Sequence, residues 1–243
     1  MRLRLLLTLF LLAASAAAQE AASTVIVPVV GTTTGPGVVW KTDVEIINDT
    51  GSPVEVAMEL STSAEGFAIF FDLGPGEAKV FTDVIGQAFG LPFALSPLRV
   101  TSTARRALTV RATVYGVHDG ELTKPQPIAV YSGQPYYPLR ALDGLSFTDE
   151  YRTNIGLVNF GDKPAEFLLA LQRVPGRNLA VSYMTVAPAT LSQMSIQSLF
   201  PLISRGDDFT VVIETVSRDT YVYASVIDNQ HTGRFVTPRV ATR

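Results

Sequence analysis

The segment Trp40–Leu60 reads WKTDVEIINDTGSPVEVAMEL, and Tyr151–Leu171 reads YRTNIGLVNFGDKPAEFLLAL, 111 positions further along the chain. The two segments align without a gap and share five of 21 residues. The identical pairs are Thr42/Thr153, Asn48/Asn159, Pro53/Pro164, Glu55/Glu166 and Leu60/Leu171. The correspondence continues over about 100 residues at nearly the same offset. We therefore infer that the chain contains two copies of one structural unit, which arose by duplication.

Both copies show the period-two alternation of half-buried β-strands. In the first copy the apolar stripes are Val54, Val56, Met58 and Leu60, then Leu108, Val110, Ala112 and Val114. In the second copy they are Phe167, Leu169 and Leu171, then Val222, Ala224 and Val226, and also Leu179, Val181 and Tyr183. Short strands separated by turn residues predict an all-β fold built as an antiparallel sandwich or barrel.

One short helix is expected in each copy. Asp83 is placed to cap Val84–Phe89, which Gly90 would end, and Ser195 stands before Ile196–Phe200.

The Gly/Thr-rich segment Gly31–Gly37 is interpreted as a loop between two strands. A boundary near residue 133 divides the mature chain into a first repeat, residues 19–133, and a second repeat, residues 134–243.

The repeated pattern resembles a group of exported bacterial proteins that carry tandem immunoglobulin-like β-sandwich repeats. The residues that carry the resemblance are Val27-Pro28, Trp40-Lys41-Thr42-Asp43 and Asn48, and then Tyr137-Pro138, Tyr151-Arg152-Thr153-Asn154 and Asn159. The resemblance covers nearly the whole mature chain. It implies two tandem antiparallel immunoglobulin-like sandwiches and export, and it supplies no catalytic residue.

The first residues have the order of a secretory signal peptide. Two arginines lie within Met1–Arg4, an apolar run extends from Leu5 to Ala18, and Ala16 and Ala18 fit an A-x-A cleavage site. The apolar run of 14 residues is shorter than the roughly 20 that span a bilayer. We expect cleavage after Ala18 and a periplasmic or extracellular location, which takes the formal charge from −3 to −5.

The composition and the motifs of the sequence argue against several classes of function. The chain has no cysteine, and its slightly negative charge gives no electrostatic footprint for nucleic acid. The sequence contains no nucleophile elbow and no phosphate-binding loop motif. The two histidines, His118 and His231, occupy equivalent repeat positions and are interpreted as solvated turn residues. We therefore predict no catalytic residue, no metal site and no cofactor.

Two carboxylate pairs and a short motif are further candidates for a functional site. Asp149-Glu150 and Asp207-Asp208 are neighbours in sequence, so on strands their side chains would point to opposite faces. Both pairs are interpreted as solvated loop residues, and a loop calcium site is the alternative. Arg205-Gly206-Asp207 spells the integrin-recognition tripeptide but is interpreted as part of a polar turn.

Two surfaces are candidates for interaction. Leu168, Tyr221, Tyr223 and Ile227 are out of phase with the core stripes, so they form either a partner surface or the contact with the first repeat. Phe235, Val236, Pro238 and Val240 form a candidate edge strand that either completes its own repeat or augments another sheet.

These features favour an exported, non-catalytic binding or structural module of the bacterial envelope or extracellular space. An envelope or extracellular protein, or a glycan, would be its partner. One alternative is a carbohydrate-binding accessory protein, favoured if exposed aromatic residues form a planar platform. The other is a hydrolase, favoured if carboxylates converge in a cleft between the repeats.

Overall fold

The computed structural model describes residues 23–61, 66–105, 107–132, 137–228 and 233–241. The expected signal peptide (residues 1–18) with its cleavage site, the boundary at 133/134, and His231 lie outside the described residues. In the described part of the chain, neither helix has the length and apolar character needed to cross a membrane.

Strands dominate the described residues, so the all-β prediction is confirmed. The first repeat contains β1 (Thr24–Gly35), β2 (Val38–Asn48), β3 (Val54–Ser61), β4 (Gly66–Leu73), β5 (Ala78–Phe81), helix α1 (Val84–Phe89), β6 (Ala94–Ser102), β7 (Leu108–His118), β8 (Glu121–Leu122) and β9 (Gln126–Ile128). The second repeat contains β10 (Leu139–Phe147), β11 (Tyr151–Asn159), β12 (Ala165–Val174), β13 (Arg177–Val186), β14 (Thr190–Ser195), helix α2 (Ile196–Leu199), β15 (Gly206–Glu214), β16 (Thr220–Asp228), β17 (Gly233–Val236) and β18 (Arg239–Val240).

All strand pairs among the described residues are antiparallel, and each pair stays within one repeat. In the second repeat the strands form two sheets, ordered β13-β12-β15-β10-β18 and β14-β11-β16-β17. In the first repeat the long strand β1 pairs with β6 and then, at its end, with β2, which joins the corresponding two layers. The Gly/Thr segment is therefore mostly strand, and the loop interpretation was wrong.

The predicted alternation holds for most strands. Phe167, Leu169 and Leu171 in β12 are at most 1% exposed, as are Val56, Met58 and Leu60 in β3. The stripe assigned to β13 was wrong: Leu179, Val181 and Tyr183 are 52%, 46% and 76% exposed. The intervening residues Ala180, Ser182 and Met184 are small or apolar too, so the sequence left the phase of β13 open. Pairing with β12 decides it.

The repeated asparagines hold turns together. Asn48 Nδ2 donates to the carbonyls of Ser52, Leu73 and Gly74 at 2.8, 3.2 and 2.8 Å. Asn159 Nδ2 donates in the same way to three carbonyls, those of Lys163, Val186 and Ala187, at 2.7–3.1 Å. Both side chains are buried, so their identity in the two repeats has a structural cause.

The repeated threonines connect two layers. Thr42 Oγ1 accepts from the Gly31 backbone N–H at 3.0 Å and donates to the Gly31 carbonyl at 3.3 Å. Thr153 Oγ1 makes the same two bonds with Ser146, at 3.2 and 2.7 Å. Each hydroxyl therefore ties the second strand of its repeat to the first.

Both helices begin at the expected caps. Asp83 accepts from the Gly86 backbone N–H at 3.3 Å, and Gly90 ends α1 with a φ of 67°. Ser195 Oγ accepts from the Ser198 backbone N–H at 3.0 Å, and α2 ends one residue earlier than predicted.

Aromatic side chains pack the two repeats together. The Tyr131 and Tyr221 rings lie 4.9 Å apart, and Phe160 meets Tyr221 edge-on at 5.2 Å. The Arg99 guanidinium lies 5.7 Å from the centre of the Phe160 ring. Burial raises the pKa of Tyr131 and Tyr221 to about 12. This contact covers one part of the outer face of the β14-β11-β16-β17 sheet and leaves the rest open.

Candidate functional site

A cleft of about 210 Å³ lies where the uncovered part of that sheet faces the first repeat. On the second repeat its floor comes from β11, β14, β16 and β17. On the first repeat its wall comes from β1, β2, β6, β7 and β9. Both repeats contribute side chains, so the cleft exists only because the repeats are packed together.

Strand register explains the floor. Arg152 and Asn154 of β11 pair with Ile227 and Ser225 of β16, and all four lie on the face opposite the core residues Thr153 and Val226. Gln193 of β14 and Phe235 of β17 complete this floor. Residues two apart on a strand share a face, which is how sequence spacing places these side chains together.

The position of Tyr223 fixes one end of the floor. Its ring lies over Gly156, where a Cβ atom would overlap the ring. The phenol donates to Gln193 Oε1 at 2.7 Å, and the ring stacks on Phe235 with 4.9 Å between centroids. Burial raises the pKa of this phenol far above its usual range. Gln193 and Phe235 are thereby held where the cleft begins.

The wall presents one aromatic ring among small residues. Trp40 of β2 is half-buried there, and it is the single tryptophan of the sequence. Thr33 and Gly35 of β1 lie beside it in the lining. A Cβ at Gly35 would approach Trp40 Nε1 to 3.3 Å, so a larger residue would crowd the indole.

The lining carries positive charge. Lys124, Arg152 and Arg234 contribute cations, while no Asp, Glu or His belongs to the lining within the described residues. Arg234 donates to the Gly144 carbonyl. Neither Lys124 nor Arg152 has a side-chain hydrogen bond or ion pair with any residue in the described ranges. The chain is acidic as a whole, so this is a local reversal of charge.

In the first repeat the cation at the equivalent position is neutralised by a carboxylate. Lys41, which aligns with Arg152, pairs with Asp83 at 2.7 Å, and Asp43 accepts from the Asp83 backbone N–H at 2.8 Å. Partial burial raises the pKa of Asp83, but hydrogen bonds from Lys41, Thr32 and the Gly86 backbone outweigh it and lower the pKa. In the second repeat Asn154 and Ser195 stand where Asp43 and Asp83 stand in the first.

The residues of the candidate partner surface separate into three places. Tyr221 and Tyr223 are 6% and 1% exposed and lie in the contact between the repeats, which is one of the two alternatives left open. Ile227 lines the cleft. Leu168 pairs with Tyr183 on the outer face of the other sheet, beside the exposed residues of β13.

The candidate edge strand is divided between two sheets. Phe235 and Val236 belong to β17, which pairs with β16, while Val240 belongs to β18, which pairs with β10. Pro238 lies between the two strands. Both strands pair inside their own repeat and stand at the ends of their sheets.

The other sequence candidates do not converge. His118 Nδ1 lies at hydrogen-bonding distance from the Gly37 carbonyl. Asp149 pairs with Arg205, and Gly206 begins β15, so the tripeptide is at a strand start. Among the described residues no three of His, Asp and Glu are grouped to hold a metal ion.

Sequence reasoning missed the cleft itself. It identified Ile227 as a residue out of phase with the core stripes, but it gave no part in a binding site to Trp40, Arg152, Asn154 or Gln193. The available signal was the exchange of Asp43 for Asn154 and of Asp83 for Ser195 beside a retained cation. A comparison with protein-family models and one with curated proteins both found no match for this chain.

Proposed function

We propose that the chain is an exported, non-catalytic binding module of the bacterial envelope or extracellular space, and that it binds a small ligand in the cleft between its repeats. The observation that carries the proposal is the cleft itself. Both repeats contribute polar side chains to it, and the first repeat also contributes Trp40. Two tandem immunoglobulin-like sandwiches, packed through Tyr131, Phe160 and Tyr221, are the scaffold in this proposal.

The nature of the lining supports binding. Amide and hydroxyl side chains such as Asn154, Gln193 and Ser225 both donate and accept hydrogen bonds. Trp40 offers an apolar surface with one N–H donor. A few polar groups placed among apolar ones are typical of ligand pockets. The alternative of a carbohydrate-binding accessory protein is included in this proposal, with the cleft rather than a planar platform as its site.

The hydrolase alternative requires two carboxyl groups about 5–10 Å apart across a cleft. The described lining instead presents Lys124, Arg152 and Arg234. The geometry therefore favours retention of a ligand over general acid–base chemistry.

The test is a screen of saccharides and small organic acids by ligand-observed NMR, with the mature chain and two variants. Ser225→Phe fills the cleft, and Thr185→Phe adds the same group on the exposed face of β13. We expect ligands that bind the unmodified chain and Thr185→Phe but not Ser225→Phe, and that are recovered unchanged after a day. Conversion of the ligand, or binding that Ser225→Phe leaves intact, would contradict the proposal.

A further inference from the structure

We propose that the ligand of the cleft is a sugar acid, whose carboxylate pairs with Arg152. This inference rests on the proposed function and names the ligand class for the same site. It comes from comparing the cleft with the equivalent place in the first repeat of the same chain.

The two repeats differ in their counter-ions. In the first repeat Lys41 is neutralised by Asp83, and Asp43 lies next to that pair. In the second repeat the cation is retained as Arg152, and both carboxylates are replaced by neutral groups, Asn154 and Ser195. Arg152 is half-buried, lines the same cleft as Lys124 and has no carboxylate partner in the described residues, which favours an external anion.

The hydrogen-bonding groups of the cleft also favour an anion. Arg152, Lys124 and Trp40 Nε1 are donors that cannot accept. Among the described residues none of the three donates a side-chain hydrogen bond to protein. The planar guanidinium fork matches the two oxygens of a carboxylate, which takes up two donors at once.

The remaining groups favour hydroxyls on the same ligand. Asn154, Ser225 and Thr33 share the cleft lining with the cations and offer both donors and acceptors, as sugar hydroxyls require. The cleft, at about 210 Å³, is smaller than pockets for drug-sized molecules, which begin near 300 Å³. It therefore suits a single sugar ring, with Trp40 as an apolar surface for the ring.

The experiment uses the fluorescence of Trp40, the single tryptophan, as a reporter inside the cleft. The mature chain is titrated with D-galacturonate and D-glucuronate, with D-galactose and D-glucose as neutral counterparts and inorganic phosphate as a second anion. We expect a saturable change with at least one of the two acids and affinities at least tenfold weaker for the neutral sugars and phosphate. Raising the salt from about 0.01 to about 1 M shortens the screening length from about 30 to 3 Å and should weaken the binding.

Three variants test the charge argument. Arg152→Gln should weaken binding of the acid roughly tenfold or more, because a hydrogen bond to a charged group is lost. Ser195→Asp with Asn154→Asp restores the carboxylates of the first repeat and should abolish binding, and aspartate still caps α2. Arg177→Gln, an exposed cation at the start of β13, is the matched control and should bind normally.

The outcomes separate this inference from the proposed function. Neutral sugars that bind as tightly as the acids, or a double Asp variant that still binds, would overturn the sugar-acid assignment and leave a ligand cleft. Tight phosphate binding would overturn the assignment in the same way. Absence of any response to either acid at millimolar concentration would also overturn it, whereas the proposed function depends on the broader screen with Ser225→Phe.

Discussion

Gly156 and Tyr223 lie face to face on neighbouring strands, with the phenol ring occupying the space that a side chain at position 156 would need. The ring is fully buried, and its hydroxyl reaches across β11 to Gln193 on β14. One aromatic side chain thus spans three strands and fixes the end of the cleft. A glycine in a central strand is otherwise unfavourable, so its place here is explained by the ring.

Gly156→Ala should destabilise the second repeat. The added methyl group overlaps the Tyr223 ring, and overpacking of this kind costs about 1–3 kcal/mol. Tyr223→Phe, which removes only the hydroxyl bonded to Gln193, should cost about 1 kcal/mol. Urea unfolding measures both values. A Gly156→Ala variant as stable as the unmodified chain would show that Tyr223 does not hold this position.

The buried asparagine Asn159 should contribute more to the free energy of unfolding than an exposed asparagine does. Asn159→Ala removes the donor to three carbonyls, so those acceptors lose their partner and we expect a loss of about 2–4 kcal/mol. Asn178, exposed in β13, serves as the control, and Asn178→Ala should change stability by less than about 0.5 kcal/mol. Equal effects in thermal unfolding would contradict the role of Asn159 in joining two turns.

The contact between the repeats should weaken at high pH. Burial raises the pKa of Tyr131 and Tyr221 from 10.0 to about 12. The unfolded chain therefore releases these protons first, and the stability present below pH 10 is lost as the pH rises towards 12. Urea midpoints measured between pH 9 and pH 12 should fall, and less steeply in Tyr221→Phe. An identical fall in that variant would show that Tyr221 does not contribute.

If the protein is exported as we propose, cleavage of the signal peptide should leave a defined N-terminus. The charged start, the apolar run and the A-x-A site predict that the native protein begins at Gln19 or within a few residues of it. Mass spectrometry of protein taken from the envelope or medium measures this. A secreted form that retains Met1 would contradict cleavage.

The all-β fold and the helix caps could be predicted because they depend on local chemistry. The alternation of apolar and polar residues in β3 and β12 is a local feature of the sequence. The capping residues Asp83 and Ser195 likewise bond to backbone groups only a few residues away. The identity of Asn48 and Asn159 also pointed to one shared structure, although not to the three carbonyls that each one holds.

The phase of β13 and the cleft depend on tertiary packing and could not be predicted in that way. Leu179 and Ala180 are both able to face a core, and only the pairing with β12 selects Ala180. The cleft requires the angle between the repeats, which no spacing along the chain encodes. The exchange of Asp43 for Asn154 was visible in the alignment, but its relevance to binding depends on Arg152 and Trp40 lining the same cleft.

The most direct test of ligand binding in the cleft is a ¹H–¹⁵N NMR titration of the mature chain with the uronic acid that binds more tightly. We predict that the single indole N–H signal, from Trp40, and the side-chain amide of Asn154 shift together and saturate at one ligand per chain. The amides of Asn48 and Asn178, which do not belong to the cleft lining, should stay unchanged. Shifts confined to other residues, or an indole signal that does not move at saturating ligand, would contradict the account.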